Sequence, residues 1–426
     1  MNILRKYSFL AFSFFIALNS YGQLRDTLKL TIKKLEKEPP DTVIIFSTRI
    51  DTIALQPIKT DTSKIVKDVN PQDLDETRYQ IKFLGSIRIN SYYDFDGMTS
   101  TEGFLPYDIP VGVEKIERLS STYIGARQSR FGMEGNANTR VGTIKTYLEV
   151  DFVSSTSSFW RLRQAYVQWN YFRIGYTWST FMDNSSLPGT VDFEGPNSAL
   201  TKRNGLIRYE KILSQSSIAG FSIEAPYTDY YNPADTLIED KNIQGNFDLV
   251  ARYKYFGNWG HVQFAGILRR ISYLHETTMD KLYGWGGLVS TIININENNT
   301  FYSQYSIGNG IANYIVGFNN RELDAVYNPD SRDMVLKMIH GGYVNLNHKF
   351  NNKMTLSFTG GVSFMKNYEF EPDDSFSSSQ YLAVTYFYNP IETISLGLEV
   401  TTGTRINEDN QIGNATRISM IGMFSF

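Results

Sequence analysis

From Tyr79 to the C-terminus, the chain alternates apolar and polar residues with a period of two. Between Tyr79 and Phe95 the odd positions are mostly apolar, whereas even positions carry residues such as Lys82, Arg88 and Asp94. Side chains alternate faces along a β-strand, so this pattern predicts a strand with one apolar face and one charged face. The segment is much longer than a typical strand of about five or six residues.

The same alternation recurs along the rest of the chain. We count about sixteen such segments, and two of them, 120–135 and 159–170, alternate imperfectly, which indicates bulges. The approximate segments are 79–95, 120–135, 140–153, 159–170, 171–181, 204–214, 216–225, 247–257, 259–272, 281–295, 299–310, 334–349, 353–366, 379–389, 392–404 and 414–426.

A transmembrane barrel explains this rhythm better than a soluble sandwich does. A sandwich shows shorter strands, with turn signals every 8–12 residues or so. Here the spacing is about 22 residues per strand, and only a closed barrel satisfies every backbone group in lipid. Aromatic residues also collect near strand ends, as in interfacial girdles. The predicted fold is an all-β, transmembrane antiparallel barrel of about 16 strands with a short N-terminal periplasmic segment.

The N-terminal residues are typical of a secretory signal peptide. In residues 1–22, Arg5 and Lys6 precede an apolar stretch that is too short for a membrane anchor, and small residues follow it. Residues 23–78 are predicted to form a periplasmic segment, a short helix followed by extended or disordered chain. Residues 79–426 are predicted to form the barrel.

The last strand ends on an aromatic residue. Ile418, Met420, Phe424 and Phe426 share one face of the final segment. This end resembles the C-terminal signal that the barrel-assembly machinery of bacterial outer membranes reads. Together with the signal peptide, it predicts the outer membrane of a Gram-negative bacterium, with outer-membrane lipid around the barrel.

Short turns alternate with long connections, as expected for the two ends of a barrel. Residues 257–258 and 351–352 form short turns, whereas 97–120, 183–204, 226–246, 311–333 and 367–379 are long and polar. The connection 183–203 holds two prolines and two glycines, and we expect it to fold into the barrel and narrow it. Its candidate constriction residues are Asp183, Asp192, Glu194, Lys202 and Arg203.

Composition excludes several other classes of protein. The mean hydropathy of −0.29 excludes a multi-helix membrane protein, and the absence of cysteine excludes disulfide scaffolds, cysteine zinc sites and thiol nucleophiles. Without the two basic residues of the signal peptide, 39 basic residues face 44 acidic ones, so no basic surplus supports nucleic-acid binding. The 61 aromatic residues suit two girdles and lipid contact.

Neither catalytic nor metal-binding motifs are recognisable. The four histidines, His261, His275, His340 and His348, show no metal-ligand spacing and no serine partner. The acidic run 369–374 matches no calcium loop, so a solvated loop is the favoured interpretation. We therefore predict no enzyme activity, no catalytic residue, no metal and no cofactor.

Several segments in the first half of the barrel carry a family resemblance. They are 127–132 (RQSRFG), Gly142, 149–152 (EVDF), 161–167 (RLRQAYV), 175–181 (GYTWSTF), Pro188 and 192–196 (DFEGP). Together they resemble the DcaP-like family of trimeric outer-membrane porins. The resemblance implies a 16-stranded homotrimeric channel for small, mainly anionic organic solutes. Family members often carry a periplasmic coiled coil, for which residues 24–37 are too short.

The predicted function is that of a porin, which offers a wet, charged constriction to small solutes. Arginine is favoured for binding carboxylates, although any one lumen charge is equally expected to pair with a neighbour and brace the wall. The alternative is a structural barrel that anchors a partner through residues 24–78. A barrel hydrolase and a TonB-dependent transporter are less favoured. The pore-lining candidates are Arg88, Lys145, Glu149, Asp151, Arg161, Arg163, Arg208 and Glu210.

Overall fold

The computed structural model describes residues 43–44, 79–98, 100, 102–112, 119–153, 160–231, 244–275 and 278–426. The predicted signal peptide lies outside the described residues, as does the predicted periplasmic segment apart from Val43–Ile44. Those two residues form a short strand that pairs in parallel with the start of the first barrel strand. In the described part of the chain, no helix is long and apolar enough to cross a membrane.

Sixteen antiparallel strands form one closed sheet, which confirms the predicted fold class. The strands are β1 (Tyr79–Asp94), β2 (Ser121–Gly125 and Arg130–Thr139), β3 (Gly142–Asp151), β4 (Arg161–Trp169), β5 (Phe172–Trp178), β6 (Arg203–Ser214), β7 (Ser217–Glu224), β8 (Asp248–Gly257), β9 (Gly260–His275), β10 (Thr278–Asn294), β11 (Asn299–Asn309), β12 (Met338–Asn351), β13 (Met354–Met365), β14 (Phe376–Ile391), β15 (Ile394–Asn407) and β16 (Ile412–Ser425). Short 3-10 helices lie in the described connections at Pro106–Asp108, Asn184–Ser186 and Ala312–Tyr314.

The barrel closes because β1 pairs along both of its edges. One edge pairs with β16, from Ser86 opposite Ser425 to Asp94 opposite Arg417. The other edge pairs with both parts of β2. A closed sheet leaves no unpaired strand edge, which is the condition for crossing lipid with strands.

The two faces of the sheet differ as the alternation predicts. In β13, Phe358 and Phe364 point outward and are 50% and 43% exposed. The intervening Ser357, Thr359 and Ser363 point inward and are buried. The period of two therefore separates a lipid-facing surface from an inner surface within each strand.

Two strands are irregular where the alternation is imperfect. β2 is interrupted between Gly125 and Arg130, and the intervening Gln128 is buried. The pairing of β3 with β4 shifts between Glu149 and Val150, which is a bulge. The interruption of β2 and the bulge in β4 lie in 120–135 and 159–170, the two segments whose alternation is imperfect.

Three long connections fold into the interior. We call them L1 (95–120), L3 (179–202) and L6 (310–337). Phe181 of L3 and Tyr314 of L6 pack with Ile267 of β9 and Ile339 of β12 in one apolar cluster. Residues of L1, including Phe104, form a second cluster with β14 and β16. The inner surface of β8–β14 and β16 is thus covered by a core of the kind found in soluble proteins.

Three details correct the sequence-based expectations. The predicted strand 334–349 is wrong at its start, because Asp333–Leu336 pairs with Ala325–Asn328 in a hairpin within L6. L6 is not a polar loop, since its apolar residues enter the core. The acidic run 369–374 is not fully solvated, because Glu371 is ion-paired with the buried Lys337.

The closing seam places the ring of Phe426 over Gly85. These two residues exchange backbone hydrogen bonds, each 3.0 Å long. A Cβ atom on Gly85 would lie 2.5 Å from Cζ of Phe426 and 3.1 Å from the backbone oxygen of Arg130. Gly85→Val is therefore expected to displace the ring and destabilise the barrel by about 1–3 kcal/mol, measured by urea unfolding in detergent.

Gly360→Val is the matched control for the seam variant. Gly360 also faces outward in mid-strand, but its added Cβ would meet only Leu382 at an ordinary 3.5 Å. We expect this variant to unfold at nearly the wild-type urea concentration. Equal destabilisation by both valines would contradict a specific role for the seam.

Candidate functional site

Inward-facing arginines line the half of the barrel formed by β1–β8. Arg130 of β2 lies opposite Asp151 of β3, which lies opposite Arg161 of β4. Residues directly opposite each other share a face, so these three belong to one inner row. Arg173 of β5 likewise lies opposite Arg208 of β6. The inner arginines of this half include Arg88, Arg130, Arg161, Arg163, Arg173, Arg208 and Arg252.

Arg161 and Arg163 are ion-paired with two buried carboxylates. Arg161 donates from Nε and Nη2 to the two oxygens of Asp151, at 2.9 and 2.7 Å. Arg163 donates from Nη1 to Asp151 at 2.8 Å and from Nε to Glu149. Arg163 is only 5% exposed, whereas the side chain of Arg161 is 33% exposed. This geometry suits Arg163 to bracing the wall, while Arg161 keeps access to the lumen.

The bulge in β4 brings both Arg163 and Gln164 to the lumen face. Leu162 points outward and is 45% exposed, and Gln164 lies opposite Glu149 on the inner face. Arg163 is the extra residue between them, so that two consecutive side chains face inward. With strict alternation from Arg161, Arg163 would face the lumen and Gln164 would face outward.

The tip of L3 lies among three arginines. The guanidinium groups of Arg88, Arg130 and Arg163 are 5.6, 5.6 and 5.8 Å from the ring centroid of Phe193, within the range of cation–π attraction. Nη2 of Arg88 also donates to the backbone oxygen of Val191 at 2.5 Å. A cavity of about 410 Å³ borders Arg88 and Arg130 and extends toward the β14–β15 turn.

A second group of charges lies on β5, β6 and β8. Arg208 is buried and donates from Nε to Oγ1 of Thr180 at 2.7 Å and from Nη2 to the backbone of Trp178. Glu210 is ion-paired with Arg252. Lys145 faces the lumen near the short turns and is exposed. Of the predicted residues, Arg208 and Glu210 are thus engaged with neighbours, while Lys145 is open to solvent.

Asp183 fixes the start of L3 to the wall. Its carboxylate accepts hydrogen bonds from Nζ of Lys254 at 2.6 Å, Nε2 of His261 at 2.8 Å and Oγ of Ser290 at 2.8 Å. Burial alone would raise the pKa of Asp183, but the His261 hydrogen bond and the Lys254 charge hold it well below its usual range. Asp183 therefore acts as an anchor, because its carboxylate is covered by the wall.

Glu399 of β15 holds the tip of L3 from the opposite side. Its two carboxylate oxygens accept hydrogen bonds from the backbone N–H groups of Val191 and Asp192, at 2.9 and 3.0 Å. Asp192 accepts from the backbone N–H of Phe104 in L1 at 3.1 Å. Burial, followed by the charge of Glu399, raises the pKa of Asp192 well above its usual range. Burial likewise raises the pKa of Glu194.

The end of L3 carries the last two predicted constriction residues. Nζ of Lys202 donates to Oδ1 of Asn313 in L6 at 3.0 Å, and burial lowers the pKa of Lys202 to about 8. The guanidinium of Arg203 lies 4.7 Å from the ring centroid of Trp178. Both cations therefore lie against neighbouring side chains.

Several residues that position these loops were not singled out from the sequence. Arg417 donates to Asp94 and to the backbone of L1, and Arg269 is paired with Asp248 and Asp324. Glu399 belongs to a correctly predicted alternating strand, but alternation does not distinguish a loop anchor from any other inner polar residue. Arg130 belongs to the RQSRFG segment that carries the family resemblance, but it was not among the predicted pore-lining residues.

Comparison with known proteins identifies the fold and the family. The model of the DcaP outer membrane protein family matches residues 53–426. The crystal structure of the outer membrane channel DcaP of Acinetobacter baumannii is similar over 82% of this chain and 97% of that chain, with 21% identity and a TM-score of 0.70. None of the curated proteins matches the sequence.

Two other porins share the fold at lower similarity. OmpF of Salmonella typhi, in a complex with daunomycin, is 11% identical with a TM-score of 0.52, covering 81% of this chain and 97% of that chain. OprB of Pseudomonas putida is 9% identical with a TM-score of 0.51, covering 81% and 94%. These likenesses show the same barrel fold.

Proposed function

Because the chain belongs to the DcaP outer membrane protein family, a family of channels rather than enzymes in the Gram-negative outer membrane, we propose that it conducts small anionic organic solutes. The supporting observation is that the wall carboxylates near the tip of L3 are ion-paired, whereas two arginines there border an open cavity. Glu149 and Asp151 are ion-paired with Arg161 and Arg163, and Nε of Arg130 also lies 3.9 Å from Glu149, so three arginines share two carboxylates. Arg88 and Arg130 meanwhile border the 410 Å³ cavity.

Arginine at these positions suits a carboxylate solute. Its guanidinium stays charged and presents a planar fork of donors that matches a carboxylate group. In a narrow lumen with low-dielectric walls, one sign of charge raises the local concentration of the opposite ion. The ring of Phe193 gives an apolar surface between the arginines, which suits solutes with a hydrocarbon part. In this proposal L3 is the constriction.

Ion selectivity is the direct test of this proposal. We expect wild-type channels in planar bilayers to reverse on the anion side in a KCl gradient. The double variant Arg88→Gln, Arg130→Gln should shift the reversal potential toward cations by on the order of 10 mV, because two lumen charges are removed. Small dicarboxylates should block chloride current through the wild type more strongly than through the variant.

A lysine outside the lumen provides the control. Lys353 is exposed in the short β12–β13 turn, so Lys353→Gln should leave the reversal potential unchanged. Cation selectivity of the wild type would refute the anionic preference. An unchanged potential in the double variant would assign selectivity to other residues.

The partners are part of the same proposal. We propose a homotrimer in outer-membrane lipid, recognised during assembly through Phe426, on the basis of the family and the C-terminal alternation. Light scattering of the detergent-extracted protein would test the trimer, since a monomeric mass would contradict it.

A further inference from the structure

A small cavity lies where L1, the tip of L3 and the barrel wall meet. Its volume is about 20 Å³, and its lining includes Asn90, Glu102, Gln128, Asp192 and Arg417. A space of this size holds one body of about the size of a water molecule. The cavity is separate from the 410 Å³ space beside the arginines, although Gln128 borders both.

Three acceptor oxygens at this cavity have no hydrogen-bond donor among the described residues. They are Oδ1 of Asn90, Oε1 of Gln128 and Oε1 of Glu102. Asn90 and Gln128 are 7% and 2% exposed, so bulk water does not reach them freely. A buried acceptor that has lost its water without gaining another donor destabilises the fold. A hydrogen-bond donor or a cation bound in the cavity would satisfy these three oxygens.

The orientation of Gln128 follows from its other contacts. Its Nε2 donates to the backbone oxygen of Glu102 at 3.1 Å and to Oε2 of Glu102 at 3.2 Å. The amide nitrogen thus faces acceptors on L1, which leaves Oε1 as the unpaired atom. Nη1 of Arg127 lies 3.4 Å from Oε1 of Glu102, which is an ion pair with a partly exposed arginine.

The charges around the cavity favour a cation over a neutral donor. Asp192 receives only neutral donors among the described residues: two backbone N–H groups and, at 3.4 Å, the hydroxyl of Tyr381. Glu399 is bound to the same stretch of L3. Arg417 borders the cavity, and its Nε, Nη1 and Nη2 each donate one hydrogen bond, to Asp94 or to the backbone of L1, so its charge is already paired with Asp94.

We propose that this cavity is a calcium site that joins L1 to L3. The ligands are Oδ1 of Asn90, Oε1 of Gln128 and the carboxylates of Glu102 and Asp192. Carbonyl and carboxylate oxygens are the ligands that Ca²⁺ prefers, and Mg²⁺ would keep several waters for which the cavity has no room. No three His, Cys, Asp or Glu side chains of the described chain form a metal site, so the two amide oxygens are essential to this one.

Direct binding measurements test the site. The full-length protein, purified in detergent and freed of metal with a chelator, is titrated with CaCl₂ by calorimetry. It is also titrated with Tb³⁺, whose luminescence is excited through nearby tyrosines such as Tyr92, which borders the cavity. We expect one Ca²⁺ per chain, displacement of Tb³⁺ by Ca²⁺, and no displacement by an equal concentration of Mg²⁺.

Variants separate a ligand role from a purely structural one. Glu102→Gln and Asp192→Asn should each weaken Ca²⁺ binding at least about tenfold. Gln128→Glu keeps an oxygen ligand and adds charge, so it should retain binding even though it loses the amide donor. Glu194→Gln removes the same charge from L3 without touching the cavity, and should change the affinity less than about threefold.

Several results would overturn the site. These are the absence of saturable Ca²⁺ binding in the wild type, equal displacement by Mg²⁺, or unchanged affinity in a folded Asp192→Asn protein. Loss of binding in Gln128→Glu would also count against it. Heat-modifiable migration on gels confirms that each variant is folded. The channel measurements above are a separate test, because they vary Arg88 and Arg130, which are not ligands of this site.

Discussion

Replacing Arg269 with methionine is expected to destabilise the barrel by about 3–5 kcal/mol, more than the other substitutions considered, because it leaves buried charges unpaired. Nε of Arg269 donates to Asp248 at 3.0 Å, and Nη1 donates to Asp324 at 3.1 Å. The side chains of Arg269, Asp248 and Asp324 are each at most 1% exposed. The same arginine donates to the backbone of Tyr227 and of Gly310, so it joins L6 and the β7–β8 connection to the wall.

Equilibrium urea unfolding in detergent, followed by tyrosine and tryptophan fluorescence, measures this effect. The neighbouring Arg270 points outward and donates from Nη1 to Oδ1 of Asn246 at 2.9 Å. Arg270→Met is thus a matched control that should cost less than about 1 kcal/mol. Adding Asp248→Asn and Asp324→Asn to Arg269→Met should recover part of the loss, since the unpaired charges are removed. Equal loss in the single and triple variants would show that packing, rather than charge, governs this site.

Glu399→Ala is expected to raise the single-channel conductance about twofold, because it releases the narrowing loop. Glu399 is fully buried and holds the backbone N–H groups of Val191 and Asp192. These residues precede Phe193, which lies among the arginines. Without the carboxylate, two backbone donors lose their acceptors, and the tip of L3 is free to move away from the wall.

Planar bilayer recordings in symmetric KCl test this expectation. Glu297→Ala removes an acidic residue from the exposed β10–β11 turn and should leave the conductance near the wild-type value. Glu399→Gln retains one carbonyl acceptor, so we expect an intermediate conductance. A folded Glu399→Ala protein with wild-type conductance would show that L3 does not limit the current.

The strands were predictable because a period of two is a strong signal over long segments. In β13 the outward Phe358 and inward Ser357 follow directly from the alternation. The β4 bulge was indicated only as an irregularity, since one inserted residue shifts the parity without revealing which side chain moves. The sequence therefore predicted the wall and the inward Arg163, but not that Gln164 faces inward beside it.

The interior loops were less predictable for a different reason. The apolar stretch that contains Ile311, Tyr314 and Phe318 resembles a strand or core segment in composition, yet it follows β11 in a connection. Whether such a connection turns inward depends on its partners across the barrel, such as Ile267 and Ile339, which are distant in sequence. Periodicity carries no information about those long-range contacts.

The inner residues that stabilise the barrel and the inner residues that border the lumen lie mostly in different halves of the wall, so the two sets can change separately during evolution. Inner apolar residues of β9 and β12, such as Ile267 and Ile339, pack in the cluster with L3 and L6, so a polar substitution of these residues disturbs a packed interior. Inner residues of β1–β6 are mostly polar and are joined by pairwise contacts, such as that between Arg161 and Asp151. Related chains can therefore change which solutes pass by exchanging charges on the inner face of β1–β6. The packed half of the barrel can stay almost unaltered.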